Sequence, residues 1–597
     1  MKSKCIIFGA SKTGNVAYRL LKDKYEVIGF ADNDKKKWGE KFCKKEIFNP
    51  VSLASMENVE IIIASVYYPL IYKQLREMGI YKIQLFFYAG IAADNNSDTY
   101  KLYQLSDTLL FENCVFDKEK IEKINCNFSE NYDLAIREEK LSLKKTDRKK
   151  VLFCAYIFPP IGGGGVQRSL KFVKYLRDFG YEPIVLTVGE NDGKLVRDET
   201  MLAEVPDDIT VIRINTKVFL PEVLSWKEQQ EIYNLYCGVT QSKEWMNEYL
   251  KVIQNTHIRL IPDNQIIWVN ECLKQIEQKL DLNEIDMVYT SGNPYSIYLL
   301  GYYIKNKYGI KWVQDYRDPW MTNMFYLEKY RKDINITQRL QKQLEEKLVW
   351  KSDAVLVVAK SMIEEYVTEF GVPEDKIFEI TNGYDEDDFS DIHLKGDRNN
   401  KFTLCYNGMI YIDRSPLELL NYINELIEEG QILADDIQWI FNGTLENKWR
   451  QKIDCLDRYN IVKYNGYLTH SESIKSAMQS DILVLFGAQG GATKVFYTGK
   501  VFEYIRMRKP ILSFSTEGGV LTNILSETQT GENFEYDDRE NIKKYLVQKY
   551  QSWKNQEEII CGNEEAIQRY SRKNITKRLA EIFDKLLENN KEEKTQI

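Results

Sequence analysis

Pro159-Pro160-Ile161-Gly162-Gly163-Gly164-Gly165-Val166-Gln167-Arg168 is the stretch that decides the fold. It follows the apolar run 151–158, which is typical of a buried strand, and precedes a segment with helical spacing. Consecutive glycines let the backbone turn sharply and approach a ligand closely. Their N–H groups, together with the positive end of the next helix, form a site for a phosphate or another oxyanion. We therefore predict that this four-glycine loop binds an anionic group; a flexible turn without a ligand is the alternative.

The same pattern of strand, turn and helix recurs along the chain. Further strand-like runs lie at residues 183–188, 287–291, 312–315, 354–359, 402–406, 439–441, 482–486 and 511–514. Strands that alternate with helices indicate parallel sheets with right-handed crossovers. We predict an α/β protein with two doubly wound domains at 150–395 and 396–573, followed by a closing helix and charged tail at 574–597. Ligands of such sheets lie at the carboxyl ends of the strands, here in an interdomain cleft.

A smaller Rossmann-like α/β domain is predicted at residues 1–95, followed by a polar linker at 96–149. Gly9-Ala10-Ser11-Lys12-Thr13-Gly14 follows a strand-like run and opens a helix, and Asp32 ends the next strand about 20 residues later. This is most of a dinucleotide-binding fingerprint. Gly9, Gly14 and Asp32 are therefore candidates for binding NAD or another nucleotide. A purely structural α/β module is the alternative.

Composition excludes several classes of protein. The 597 residues include three histidines and neither H-E-x-x-H nor G-x-S-x-G, which argues against zincins and α/β-hydrolases. The net charge of −8 argues against nucleic acid as a partner. Ten cysteines without a C-x-x-C pair favour reduced thiols over a disulfide or zinc framework. Without a signal-peptide pattern or a run of about 18 apolar residues, we expect a cytoplasmic protein.

Further motifs place charged residues at predicted strand ends. Arg317 and Asp318 follow the run 312–315 and form either a structural ion pair or a catalytic one. Arg414 comes near the start of a helix after a strand and a glycine, where a guanidinium grips a diphosphate bidentately. The acidic run 385–388 is interpreted as a solvated loop, and His470 as an imidazole at the surface or near a helix cap.

A second glycine-rich loop contains Gly490 and Gly491 and leads into a helix with Lys500 and Glu503. It is not a P-loop, because it lacks the first glycine and the magnesium-binding hydroxyl of that motif. We instead predict that Lys500 contacts a phosphate and Glu503 a hydroxyl group.

Six segments in this order resemble those of retaining glycosyltransferase family 4, which has the GT-B fold of two facing Rossmann-like domains. They are FPPIGGGGVQR, YTSGNPYSIYLLGYYI, WVQDYRDPW, KSDAVLVVAKSM, ITNGYDEDDF and TGKVFEYIRMRKPIL. The resemblance covers residues from about 150 to 580 and implies a nucleotide-sugar donor bound mainly by the C-terminal domain. It implies an acceptor bound mainly by the N-terminal domain, and no bound metal. Residues 1–95 resemble NAD- or nucleotide-sugar-binding domains attached to some polysaccharide-biosynthesis proteins.

The resemblance also implies roles for single residues. Glu503 resembles the second glutamate of the family's paired motif, which binds the donor ribose. Arg414 resembles the residue that holds the diphosphate, and Lys500 would be a second contact to the same group. In addition, Gly490 and Gly491 would offer amides to the donor sugar, Gly163 and Gly164 would approach the diphosphate, and Arg317 and Asp318 would lie near the sugar. Two positions depart from the family: Val495 stands where the first glutamate is expected, and Met409 where many relatives have arginine.

The sequence therefore favours a glycosyltransferase that moves a sugar to a saccharide or lipid-linked acceptor in cell-surface polysaccharide or glycolipid biosynthesis. A sugar-nucleotide epimerase-like enzyme is one alternative, because of the turn at Gly9 to Gly14. A non-catalytic sugar-nucleotide-binding subunit is the other, because of Val495 and Met409. Basic residues at 140–150 are interpreted as a solvated linker, with peripheral contact at the inner membrane face as the alternative.

Overall fold

The computed structural model describes residues 2–56, 58–65, 68–91, 98–104, 140–141, 143–163, 165–189, 197–216, 226–255, 260–321, 336–390, 399–410, 414–487, 498–557 and 559–595. The chain divides into two compact units. The first comprises Met1–Ala135, Thr216–Asn270 and Asn335–Gln343. The second comprises Ile136–Asn215, Glu271–Ile334 and Leu344–Ile597.

Strands and helices are numbered in chain order within the described residues. The strands are β1 Ser3–Phe8, β2 Tyr25–Ala31, β3 Lys41–Phe42, β4 Lys45–Phe48, β5 Val59–Ile63, β6 Ile83–Ile91, β7 Asp98–Gln104, β8 Lys149–Ala155, β9 Tyr181–Val188, β10 Thr210–Ile214, β11 Met287–Gly292, β12 Lys311–Tyr316, β13 Ala354–Val357, β14 Ile377–Glu379, β15 Phe402–Asn407, β16 Ile437–Asn442, β17 Val462–Gly466, β18 Ile482–Phe486, β19 Ile511–Phe514 and β20 Gly531–Phe534. The helices are α1 Lys12–Leu21, α2 Tyr68–Glu77, α3 Val166–Tyr175, α4 Trp226–Thr240, α5 Lys243–Asn255, α6 Ile266–Lys279, α7 Ile297–Tyr308, α8 Ile336–Lys351, α9 Lys360–Phe370, α10 Leu417–Glu428, α11 Asn447–Leu456, α12 His470–Met478, α13 Lys500–Met507, α14 Val520–Thr528, α15 Arg539–Lys554, α16 Glu564–Gln568 and α17 Arg572–Thr595.

The first unit contains a sheet of order β3-β4-β2-β1-β5-β6-β7. Its central strands are parallel, whereas β6 and β7 form an antiparallel pair. The sheet therefore continues beyond residue 95, where the sequence analysis ended this domain. The edge strand was missed because its sequence, DTYKLYQ, is largely polar.

A cluster of aromatic residues joins helices of the same unit. The Trp245 ring stacks on Tyr249 with centroids 5.3 Å apart, and the Tyr236 and Tyr249 rings lie 4.7 Å apart. The indole N–H of Trp245 donates to the carbonyl oxygen of Leu340 at 3.0 Å. The sequence analysis had placed these residues in the domain 150–395. Periodicity along the chain predicts helices but not the cluster in which each one packs.

Two parallel sheets form the centre of the second unit. One has the order β10-β9-β8-β11-β12-β13-β14 and the other β17-β16-β15-β18-β19-β20. The order of each sheet reverses at one point, between β8 and β11 and between β15 and β18. Loops at such switch points are where doubly wound sheets bind ligands. The loop 159–165 leaves β8, and the segment from Gly408 to Arg414 leaves β15, so both predicted phosphate loops start at switch points.

The last helix closes the chain against the first of these two sheets. Ile575, Leu579 and Phe583 of α17 are buried in one apolar cluster with Val151 and Phe153 of β8. The chain therefore returns to the first sheet after completing the second, which has its own apolar core. Among the described helices, none has the length and apolar character that a bilayer crossing requires.

Candidate functional site

The glycine loop and Arg317 form the first half of the candidate site. Gly163 has a φ of +108°, and Gly165 is the N-cap of α3 without a side-chain hydrogen bond. A Cβ built at Gly165 would overlap Nη1 of Arg317 and lie 2.7 Å from its Nη2. The guanidinium of Arg317 therefore lies against the backbone at the start of a helix, an arrangement suited to an anion. Gly164 lies outside the described residues.

Arg317 is a mostly buried cation, with 15% of its side chain exposed. Its Nε is buried and, among the described residues, has no hydrogen-bond partner. The carboxylate of Asp318 lies 3.6 Å from Nε, close enough for an ion pair but beyond hydrogen-bond distance. Partial burial raises the pKa of the Asp318 carboxyl, and the charge of Arg317 opposes that increase. The predicted pair is thus present, but it leaves donors of Arg317 available to a ligand.

A second ion pair, which the sequence analysis did not identify, fixes this half of the site. Arg168 grips Asp315 bidentately: Nε lies 2.8 Å from Oδ2 and Nη2 lies 2.7 Å from Oδ1. Both side chains are buried, and the guanidinium also donates to the carbonyl oxygens of Ile380 and Thr381. The pair ties α3 to the ends of β12 and β14. It therefore holds the helix that follows the glycine loop.

Lys500 and Gly408 form the second half of the candidate site, at the switch point of the other sheet. Gly408 has a φ of +107°, and a Cβ there would overlap Cε of Lys500 and lie 2.7 Å from Nζ. The ammonium group also lies 5.4 Å from the centroid of the Tyr406 ring. The lysine side chain therefore crosses directly over the glycine backbone, which only glycine permits.

Electrostatics at Lys500 favour an anionic ligand. Burial and the neighbouring charge of Arg414 lower the pKa of Lys500 to about 8, while Glu503 opposes this shift. Lys500 is also the first residue of α13, where the helix dipole disfavours a cation. Two cations that repel each other at a helix N-terminus are stabilised by a bound anion. Arg414 and Lys500, the two cations for which the sequence analysis predicts diphosphate contacts, thus lie close enough for their charges to interact.

Glu503 contacts His470, a residue that the sequence analysis interpreted as a surface or cap imidazole. Nε2 of His470 lies 2.9 Å from Oε1 of Glu503. His470 begins α12, and Thr469 and Glu472 form a capping box around it. The hydrogen bond to Glu503 raises the pKa of His470 to about 9, although burial opposes this shift. Because the two residues are 33 positions apart, no local pattern revealed the contact.

The acidic run 385–388 is not simply a solvated loop, so that interpretation was wrong for Asp385. Its carboxylate is 3% exposed and lies 2.6 Å from Nζ of Lys171 and 3.0 Å from Nζ of Lys174. Burial alone would raise the pKa of Asp385, but the lysine charges and the Tyr175 hydroxyl lower it to about 2. Within the described residues, no group of three His, Cys, Asp or Glu side chains is placed to hold a metal ion.

The candidate nucleotide site of the first unit has the close packing that its fingerprint predicts. A Cβ at Gly14 would overlap the carbonyl oxygen of Gly9, so the helix approaches the turn at this glycine. Asp32 is already engaged by the protein: its Oδ2 accepts from the amide of Ala10 at 2.9 Å and pairs with Lys37 at 3.0 Å. Gly9, Gly14 and Asp32 therefore lie together, with the carboxylate directed to the turn itself.

Several predicted positions cannot be placed. Gly490, Gly491 and Val495 lie outside the described residues. The side chain of Met409, which follows Gly408, is 45% exposed.

Comparisons with known proteins found two family models and several solved structures that are similar to parts of this chain. Residues 238–388 match Glycosyltransferase Family 4, and residues 1–86 match the family C2185-like, N-terminal. The comparison with curated proteins found no match. Similar solved structures include HepE of Anabaena in complex with UDP and glucose (14% identity, 73% of this chain and 100% of that chain, TM-score 0.46). A second similar structure is a glycosyltransferase from Rickettsia africae (15% identity, 74% of this chain and 100% of that chain, TM-score 0.45). A third is WaaG, a glycosyltransferase involved in lipopolysaccharide biosynthesis (13% identity, 72% of this chain and 99% of that chain, TM-score 0.45).

The second unit has two doubly wound parallel sheets and a last helix that returns to the first sheet, the α/β arrangement that the sequence analysis predicts. The small N-terminal sheet is a separate α/β domain, as predicted. The resemblance to glycosyltransferase family 4 is confirmed, and its family match falls on residues 238–388.

Proposed function

We propose that this protein is a retaining glycosyltransferase that moves a sugar from a nucleotide-sugar donor to a saccharide or lipid-linked acceptor. Its role would lie in cell-surface polysaccharide or glycolipid biosynthesis. The observation that carries the proposal is the position of Lys500, a cation crossing Gly408 beside Arg414 at the switch point of the second sheet. This is the arrangement that a diphosphate stabilises.

The proposed chemistry depends on stabilising the departing nucleoside diphosphate. As the glycosidic bond to the donor phosphate breaks, negative charge develops on the phosphate oxygens. Arg414 and Lys500 meet that charge from one sheet, and Arg317 with the amides at Gly163 meets it from the other. In comparable sites, each fixed charge that faces the developing charge stabilises the transition state by about 3 kcal/mol. The reaction so described needs no bound metal ion, and we propose metal-independent transfer.

The remaining predicted residues complete the proposal. Glu503 binds the ribose of the donor, and the amides of Gly490 and Gly491 bind its sugar. Asp318 lies beside Arg317, near the position of the sugar. Partial burial raises the pKa of the Asp318 carboxyl, and the charge of Arg317 opposes that increase.

Transfer itself tests the proposal. Purified protein is incubated with radiolabelled UDP-, GDP- and ADP-sugars and with membrane extract, in the presence and absence of EDTA. We expect label in a lipid or polymer fraction with one donor, unchanged by EDTA. The Arg414→Ala variant should lose this activity, while Arg569→Ala, an exposed cation of the same unit, should retain it. Interconversion of the free sugar nucleotide would instead identify an epimerase-like enzyme, and saturable binding without turnover a non-catalytic subunit.

For the first unit we propose that the turn at Gly9 and Gly14 binds NAD or another nucleotide. The close approach of Gly14 to Gly9 supports this proposal. Titration calorimetry of the full chain with NAD and UDP checks it. The Gly9→Val variant should abolish the heat of binding at this site, and the Arg414→Ala variant, which alters the other unit, should not.

A further inference from the structure

His470 and Glu503 come from two different helices of the second unit. Glu503 lies in the first turn of α13, and His470 is the first residue of α12. They meet through Nε2 of the imidazole and Oε1 of the carboxylate, 2.9 Å apart. Oε1 thus has a protein partner. Among the described residues, Oε2 receives no hydrogen bond.

The start of α12, which carries His470, is itself fixed by hydrogen bonds. Thr469 and Glu472 cap α12 reciprocally, with the Thr469 hydroxyl 2.7 Å from the Glu472 carboxylate. The side-chain amide of Asn407, the last residue of β15, donates from Nδ2 to the carbonyl oxygen of Ser473 at 3.0 Å. The first turn of α12 is therefore fixed to the strand that leads into Gly408, which Lys500 crosses.

The charges around the imidazole keep it protonated at neutral pH. Glu503 faces it from α13, and Asp388 faces it from the short helix Glu386–Phe389. Lys171, from α3, opposes them. Since the pKa of His470 is raised to about 9, the contact with Glu503 is a charge-assisted hydrogen bond.

We propose that His470 is a positioning residue, which holds Glu503 through Oε1 so that Oε2 accepts from the ribose hydroxyls of the donor. The inference rests on the proposed function, in which Glu503 is the ribose contact. A glutamate side chain loses rotamer freedom when it binds, at a cost of about 1.5 kcal/mol. A partner that has already fixed the carboxylate removes most of this cost from the binding step.

Equilibrium binding to the full-length chain tests the proposal. UDP, GDP and ADP are titrated first, and the tightest binder is then compared with its 2′-deoxy counterpart. The measured quantity is the ratio of the two dissociation constants, which reports the ribose contact and not overall folding. The variants are His470→Ala, His470→Gln, Glu503→Ala and the double variant. Lys475→Ala, at an exposed position of the same helix, is the matched control.

We expect His470→Ala to reduce the preference for the ribonucleotide about fivefold, as for loss of one partly exposed charged hydrogen bond. His470→Gln should restore the preference at pH 7, since its amide also donates to Glu503. The double variant should have the same ratio of dissociation constants as Glu503→Ala alone. The wild-type preference should fall as the pH rises through about 9, while that of His470→Gln should stay constant. Deprotonation of Lys500 affects both ligands equally and leaves the ratio unchanged.

The outcomes separate the two proposals. If Glu503→Ala removes the ribose preference and His470→Ala leaves it within twofold of wild type, the positioning role is refuted and the proposed function stands. The positioning role is also refuted if His470→Gln does not restore the ribose preference that His470→Ala loses. If the wild-type chain binds none of the three diphosphates, the proposed function fails and the inference with it.

Discussion

Replacing Gly165 by alanine separates binding from folding at the glycine loop. The backbone at Gly165 has a φ of −73°, which alanine adopts without strain. The added Cβ would lie 2.5 Å from Cζ and 2.7 Å from Nη2 of Arg317, about 1 Å inside normal contact distance. Because the atoms that must move are the tip of a flexible side chain, the guanidinium is displaced and the fold is kept.

The expected changes in stability and in activity have separate causes. Gly→Ala at a compatible position stabilises a protein by about 0.4–1 kcal/mol, so the melting temperature should stay the same or rise. Loss of the Arg317 contact to the diphosphate should lower kcat/KM about 100-fold, as for removal of one donor that stabilises developing charge. Differential scanning fluorimetry and initial rates with the donor found in the transfer assay measure the two effects.

Arg317→Ala and the double variant are the controls for this experiment. Both should lose about as much activity as Gly165→Ala alone, because all three remove the same contact. The reasoning is refuted if Gly165→Ala keeps its activity within threefold of wild type. It is also refuted if this variant loses activity only because it unfolds.

Three further predictions concern other parts of the chain. Lys500 is protonated below a pKa of about 8, so affinity for the nucleoside diphosphate should fall as the pH rises through about 8. Lys500→Ala should bind more weakly and without this pH dependence in calorimetry. Asp315→Asn leaves Arg168 buried without its carboxylate and should lower the free energy of unfolding by about 3–5 kcal/mol in a urea titration. The control Arg569→Ala, at an exposed ion pair, should change the free energy of unfolding by less than about 1 kcal/mol. Gly14→Ala introduces a Cβ against the rigid carbonyl of Gly9 and should increase amide hydrogen exchange in residues 3–31, while exchange in the second unit stays unchanged.

Local sequence patterns predicted the features of this protein that are themselves local. A glycine run between a strand and a helix identified the loop that Arg317 contacts. A glycine after a strand, followed by one arginine near the start of a helix, identified the region of Gly408 and Arg414. Such features depend on a few neighbouring residues, because backbone turns and helix ends are set by the chain near them.

Pairs between distant residues could not be predicted in this way. Arg168 and Asp315 are 147 positions apart, and Lys174 and Asp385 are 211 apart. Each appears in the sequence as an isolated charge, and its partner is determined by how α3 packs against the strand ends. The acidic run 385–388 therefore suggested exposure, whereas the fold buries Asp385 beside two lysines.

A crystal structure of the full chain with UDP, or with whichever of GDP and ADP binds more tightly, tests the central claim most directly. We predict diphosphate oxygens within about 3 Å of the guanidinium of Arg414 and the ammonium of Lys500, with Arg317 approaching from the glycine loop. A nucleotide bound with its diphosphate away from Arg414 and Lys500 would contradict the claim.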